Sequence, residues 1–257
     1  MDRRRISTAL CSLALVAAIP LPAQVNIERL RRGRDTDGFV GTAAANVTAR
    51  TGNVRLVLLS VEGRMDYVRP QWLAFVVGNT DVGWQAGRRF SNAGLVHVRA
   101  NRHTGDVLSV EAFGQVDYDK SRRLSSRAVI GGGPRVSLET SDTWRLTAGT
   151  GYMYERERLD LSADAAHPSA TDVSRWTNYL SAHFRDGDRL SIAGTFYAQP
   201  RFDAFDDLRA LADVRLGVQL VGSLSLTVTS RLRYDSRPPD GIAALDTAIT
   251  TGLALSW

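Results

Sequence analysis

Cysteine is nearly absent from this sequence: Cys11 is the only one in 257 residues. It falls in a stretch read below as removed on export, so the mature chain has no thiol. That excludes disulfides, thiolate metal sites and cysteine catalysis. Lysine is reduced to Lys120, and arginine carries the remaining positive charge. The formal net charge is +5, but residues 1–24 hold Asp2, Arg3, Arg4 and Arg5, so 29 basic and 26 acidic residues remain without them. The basic residues are scattered, which points to no nucleic-acid partner. A membrane-spanning hydrophobic run is missing too. Residues 6–19 are uncharged for about 14 positions, short of the roughly 20 that a helix needs to cross a bilayer. If the mature chain enters a membrane, it does so as strands.

Residues 1–24 read as a secretory signal. Arg3, Arg4 and Arg5 form the basic start, residues 6–19 the apolar middle, and Pro20 and Pro22 break the helix before cleavage after Ala23 or Gln24. Residues 25–37 show no alternation and read as a short periplasmic leader. From residue 38 to 257 apolar and polar side chains alternate in runs closed by turn formers. In the last run Leu245, Thr247, Ile249, Thr251, Leu253, Leu255 and Trp257 share one face, and Asp246, Ala248, Thr250, Gly252, Ala254 and Ser256 share the other. Successive side chains of a strand point to opposite faces, so this period of two marks strands. Cutting at the turn signals predicts twelve: 38–50, 54–66, 71–85, 92–102, 106–118, 123–138, 143–156, 173–185, 189–201, 208–221, 224–235 and 244–257. The first third is the least determinate. Val57, Leu58 and Leu59 are consecutive and both faces of 71–77 are apolar, so ten strands is the lower bound.

Two architectures fit an all-β chain: a soluble sandwich and a transmembrane antiparallel barrel. Strands of soluble proteins cluster near about 5–6 residues, whereas these are about twice as long, and a tilted strand needs about 9–11 to cross a bilayer. The links alternate in length as well, tight at 103–106, 139–142, 186–188 and 222–223 and longer at 119–122, 157–172, 202–207 and 236–243. Outer-membrane barrels combine short periplasmic turns with longer outer loops. An even strand count then leaves both ends in the periplasm. Trp72 and Trp84 share a face and stand about 30 Å apart at about 3.3 Å per residue and roughly 40° tilt, the separation of two interfacial aromatic girdles. Trp144, Tyr152 and Tyr154 repeat the pattern. Trp257 closes an alternating strand, the kind of end that the barrel-assembly machinery reads. The predicted fold is therefore a twelve-stranded outer-membrane barrel of a Gram-negative cell, a monomer whose partners are outer-membrane lipids and that assembly machinery.

Three stretches carry a family resemblance: VDYDK (116–120), SRAVIGGGPR (126–135) and LTAGTGYMYE (146–155). A strand ending in aromatic and acidic residues, an arginine before a glycine-alternating strand, and a following G-x-G-x-x-Y-E strand resemble the domain-of-unknown-function family 481, the salt-induced outer membrane proteins. Residues 38–90 match only in texture. The resemblance implies an outer-membrane barrel and carries no catalytic residue.

Candidate chemistry is sparse. Gly131, Gly132 and Gly133 lack the Gly-Lys-Ser/Thr tail of a phosphate loop and read instead as room for curvature or for an aromatic such as Tyr152. His97, His103, His167 and His183 show no zinc spacing. His97 or His183 facing Ser109 or Ser191 would be the minimum for a lipid-active hydrolase, yet no serine sits in a nucleophile motif. No catalytic, cofactor or metal site is expected, and the chain reads as no enzyme. The predicted inward faces collect Arg99, Glu111, Arg127, Arg135, Arg145, Glu155, Arg175, Arg189, Asp213, Arg215, Arg231 and Arg233. That arginine excess fits a narrow anion-preferring channel if the lumen is open. If the lumen is closed, the same residues pair and brace a non-conducting structural or envelope-stress barrel.

Overall fold

Long alternating runs such as LTAGTGYMYE bury one row of side chains and expose the other, and in the structure each becomes a strand. The structure is a computed structural model that describes residues 37–139, 141, 143–187, 189–222 and 224–255. The signal, nearly all of the leader, and Trp257 lie outside the described residues. Twelve strands follow in order: β1 Gly38–Arg50, β2 Leu56–Arg69, β3 Trp72–Gln85, β4 Arg88–His103, β5 Leu108–Asp119, β6 Leu124–Glu139, β7 Trp144–Leu159, β8 Ala170–Asp186, β9 Leu190–Pro200, β10 Leu208–Val221, β11 Leu224–Asp235 and β12 Leu245–Leu255. A short 3-10 turn, Lys120–Arg122, joins β5 to β6. Each strand pairs antiparallel with the next, a simple meander from β1 to β12. Among the described residues β1 and β12 are not paired with each other. No described helix is long and apolar enough to cross a membrane.

The strand count holds in the uncertain first third, with shifts at the ends. β4 starts at Arg88 rather than 92. Ala86 and Gly87 both have positive φ, 50° and 82°, as a type I′ turn requires, so pairing with β3 starts at once through a polar stretch that hides it. β7 and β8 run past the expected 156 and 173, with Arg156 opposite Asp172 and Arg158 opposite Ala170. Alternation fades there because charged side chains occupy both faces, while the backbone ladder continues. In β3, Leu73, Phe75 and Val77 turn inward and are buried, and Trp72 and Val76 turn outward.

The polarity of the two faces settles membrane barrel against sandwich. On β4, His97 is 2% exposed and Arg99 and Asn101 are buried, while Val96 and Val98 between them are 53% and 50% exposed. The same inversion recurs along β5 to β9: charge and hydroxyls inside, Val110, Ile130, Leu146, Leu180 and Phe196 outside. A soluble sandwich buries its apolar face. This chain exposes it, as a barrel in lipid must, where every backbone group pairs within the sheet. The inner face curls on itself. Tyr179 of β8 donates to Glu111 of β5 at 3.0 Å, and Arg209 of β10 reaches Glu155 and Glu157 of β7. The molecule is a transmembrane antiparallel β-barrel of twelve strands.

Two glycines make that interior possible. A Cβ on Gly149 would strike the Tyr179 ring, with the hydroxyl at 2.7 Å, and one on Gly131 would meet Phe113 Cζ at 2.6 Å. The aromatics given room are thus Phe113 and Tyr179. Tyr152, the expected one, points outward and is exposed.

Candidate functional site

Inward positions on neighbouring strands meet across the antiparallel ladders, with register shifts at the loop end of β5–β6 and β6–β7. That brings β6, β7, β8 and β10 together around one carboxylate. Glu155, 1% exposed, accepts from Arg127 Nε at 2.7 Å, Arg175 Nε at 3.0 Å and Arg209 Nη1 at 2.8 Å. The network spreads outward from there. Arg209 donates to both oxygens of Glu157 at 3.0 Å and to Asp235 at 3.0 Å. Arg175 reaches Asp207 Oδ1 at 3.0 Å and the carbonyls of Gln199 and Asp207. Arg127 lies 3.8 Å from Asp117. Taking these charges out of water costs several kcal/mol per ion, and the mutual bonds offset it. Removing Glu155 takes a charge partner from three buried arginines at once.

Below this lattice, toward the short turns, the lumen becomes aromatic. Arg99 pairs with Glu111 at 3.3 Å. His97 Nδ1 lies 3.2 Å from Gln115 Oε1, and its ring stacks between Phe75 and Phe113 with centroids 6.1 Å from each. Tyr179, Tyr197 and Leu211 form a buried cluster beside them. The cavity these side chains leave is about 50 Å3.

Of the predicted inward charges, Arg99, Glu111, Arg127, Glu155 and Arg175 meet in these two layers. Arg135 is buried nearer the turn end against Thr147, at 3.3 Å. Asp213 pairs with Arg231 and Arg233 with Asp246, each at 3.4 Å. Arg145, at the turn end of β7, and Arg215, midway along β10, keep the inward parity of their strands but are exposed. Arg189 lies exposed in the turn before β9, off its inner face, because β9 starts one residue later. On the outer face Trp72 and Trp144 stand near the turn end, Trp84 near the loop end, and Tyr152 and Tyr154 in the loop half. Phe202 stacks on Tyr152 at 5.9 Å. The serine–histidine pair expected for a hydrolase does not form around His97. Ser109 sits 2.8 Å from His103 Nδ1 instead, on the inner face away from lipid.

Sequence reading missed Arg64, Asp66, Asp81, Asp117, Asp119, Glu157, Asp207 and Arg209, all buried. Extending the alternation from Glu111 reaches Asp117 and Asp119, from Glu155 reaches Glu157, and from Asp213 reaches Arg209. Most of the missed residues are carboxylates, so the arginine excess read from the sequence is largely compensated inside.

Residues 42–257 match the model of a family described as protein of unknown function, DUF481. The chain belongs to this family. A search of curated proteins finds no match. Among solved structures, this DUF481 chain is similar to the translocator domain of autotransporter NalP from Neisseria meningitidis, with TM-score 0.41 and 10% identity over 87% of this chain and 91% of that one. It is also similar to the CymD monoaromatic hydrocarbon channel, with TM-score 0.39 and 9% identity over 87% and 81%. Likeness at that level carries no argument about the DUF481 lumen, whose chemistry rests on its own residues.

Proposed function

We propose that this protein is a non-conducting barrel of the outer membrane, a monomer whose lumen is sealed by its own side chains. The observation that carries the reading is Glu155, buried and held by arginines from three other strands. The cavity beside that lattice supports it. About 50 Å3 holds only a few waters at roughly 10–15 Å3 each. The compensated charge argues in the same direction, since an anion-preferring pore needs a lumen of net positive potential. In this reading the barrel braces the envelope, carries no catalytic group and binds no cofactor.

Refolded protein in planar bilayers tests the proposal. No conductance steps are expected from the wild type. Discrete steps with anion over cation selectivity would sink the sealed reading and establish the narrow channel in its place. Membrane fractionation, with gel mobility compared before and after boiling, tests the location. Folded protein is expected in the outer-membrane fraction with a heat-dependent shift.

A further inference from the structure

Above the Glu155 lattice, at the loop end, the barrel holds a second and larger space. It measures about 390 Å3, within the roughly 300–1,000 Å3 of small-molecule sites. Its walls are of two kinds. Leu124, Leu159, Leu245 and Ile242 make it apolar on one side, and Arg122 and Arg233 face it on the other.

The arginines around this chamber are not alike. Arg209 at its floor is committed to Glu155, Glu157 and Asp235, and Glu157 and Asp235 line the space beside it. Arg122, in the turn between β5 and β6, makes no ion pair among the described residues, and its Nη1 is buried with no protein acceptor. Asp119 Oδ1 accepts from Ser121, through N at 2.9 Å and Oγ at 2.6 Å, while its Oδ2 is buried without a partner and within electrostatic reach of both Arg122 and Arg233. Burial pushes the Arg122 guanidinium below its ordinary value. Arg233, 8% exposed, has one long contact, 3.4 Å, to the exposed Asp246, and its Nε has no acceptor. The two like charges also lie within electrostatic reach of each other. Arg233, buried, and Arg122, half-buried, thus each keep a donor unfilled beside the space, which the head of an anion can satisfy.

The roof is built. Ser236 bonds the carbonyls of Leu208 and Asp206 at 3.0 and 2.8 Å, Arg237 bonds Asp206 at 2.5 Å, and Asp240 accepts from the His167 backbone at 2.9 Å. Three loops are thereby tied over the chamber.

We propose that this chamber binds a small organic anion, a monocarboxylate with a short alkyl body, its head on Arg122 and Arg233 and its chain on the apolar wall. The site does not depend on the lumen below being sealed.

Calorimetric titration of full-length protein in lipid nanodiscs tests it, with acetate, hexanoate and hexylammonium as probes. Hexanoate is expected to bind saturably. Acetate should bind at least tenfold more weakly, and hexylammonium should show no saturable binding. Arg122→Gln, in a three-residue turn outside the sheet, should raise the hexanoate Kd at least tenfold, and Arg233→Gln should do the same. Arg158→Gln, on the outer face, should leave it within twofold, and a boiling shift on gels confirms that each variant is folded. Hexanoate failing to saturate, acetate or hexylammonium matching it, or folded Arg122→Gln binding within twofold of wild type would each overturn the proposal. Conductance in bilayers would overturn the sealed lumen and leave this result untouched.

Discussion

The two sides of this barrel face the lumen with different side chains. From β4 to β10 the inner row is bulky and charged: Arg99, Arg127, Glu155, Arg175, Tyr179 and Arg209, all buried. Across β12 and β1 it is small and neutral: Ala248, Thr250 and Gly252, then Thr42, Ala44, Asn46 and Thr48, exposed except for the half-exposed Thr250 and Gly252. Both sides share one backbone pattern and one kind of apolar outer face. The contents of the lumen are therefore a matter of side-chain length along one wall. The thick wall supplies the plug and the ion pairs. The thin wall supplies only the complementary space.

If stability is concentrated in the thick wall, Glu155→Gln should show the largest effect. It strips a charge from three buried arginines and is expected to cost about 3–5 kcal/mol, the usual penalty for breaking a buried pair from one side. Thr250→Ala on the thin wall should stay within about 0.5 kcal/mol, as substitutions away from such networks do. Urea unfolding of both variants in lipid vesicles, followed by tryptophan fluorescence, measures the difference. Equal costs would erase the distinction between the walls.

The outer face should ignore that distinction. Leu180 lies near the middle of β8 in the thick wall, and Ile249 near the middle of β12 in the thin one, 69% exposed. Arginine at either position is expected to cost about 2–4 kcal/mol by meeting the bilayer midplane. Similar costs in the same unfolding assay mean that both walls face lipid. A neutral Ile249→Arg beside a costly Leu180→Arg would place β12 in water.

Much of this was legible in the chain, because period-two alternation is a local property. Each of the twelve strands could be cut out from its own residues, and Arg127, Glu155 and Arg175 of the inward set followed from parity. What stayed hidden depends on neighbours. Parity puts Glu155 and Arg175 inside, but only the register between strands brings Arg127, Arg175 and Arg209 to one height. Leu73, Phe75 and Val77 could not be assigned a face while their outward partners were equally apolar. Their burial puts them inward, with Arg64 over the Phe75 ring, 4.3 Å from its centroid. The Arg122 chamber was invisible for the same reason. Its walls come from β6, β7 and the β11–β12 connection, far apart in sequence.

Smaller substitutions sharpen the comparison further. Gly149 backs onto Tyr179 in the thick wall, whereas a Cβ on Gly252 in the thin wall would meet nothing within 4 Å. Gly149→Ala must push the tyrosine ring off its place and should cost about 1–3 kcal/mol by overpacking. Gly252→Ala should stay within about 0.5 kcal/mol. Unfolding midpoints for the pair decide it, and equal shifts would mean that Tyr179 yields freely.

The smallest effect belongs to the mouth, where the ion pairs are wet. The Arg237 hydrogen bond holds exposed Asp206 below the ordinary carboxylate value. A carboxylate held low contributes stability above its unfolded value, about pH 4, and loses it as pH falls through the depressed one. Arg237→Gln should therefore shift Asp206 upward in an NMR titration and weaken the tie between the β9–β10 and β11–β12 loops. The unfolding midpoint at neutral pH should hardly move, because an exposed pair is screened by solvent. A large drop there would mean that the roof carries stability that the comparison assigns to the thick wall.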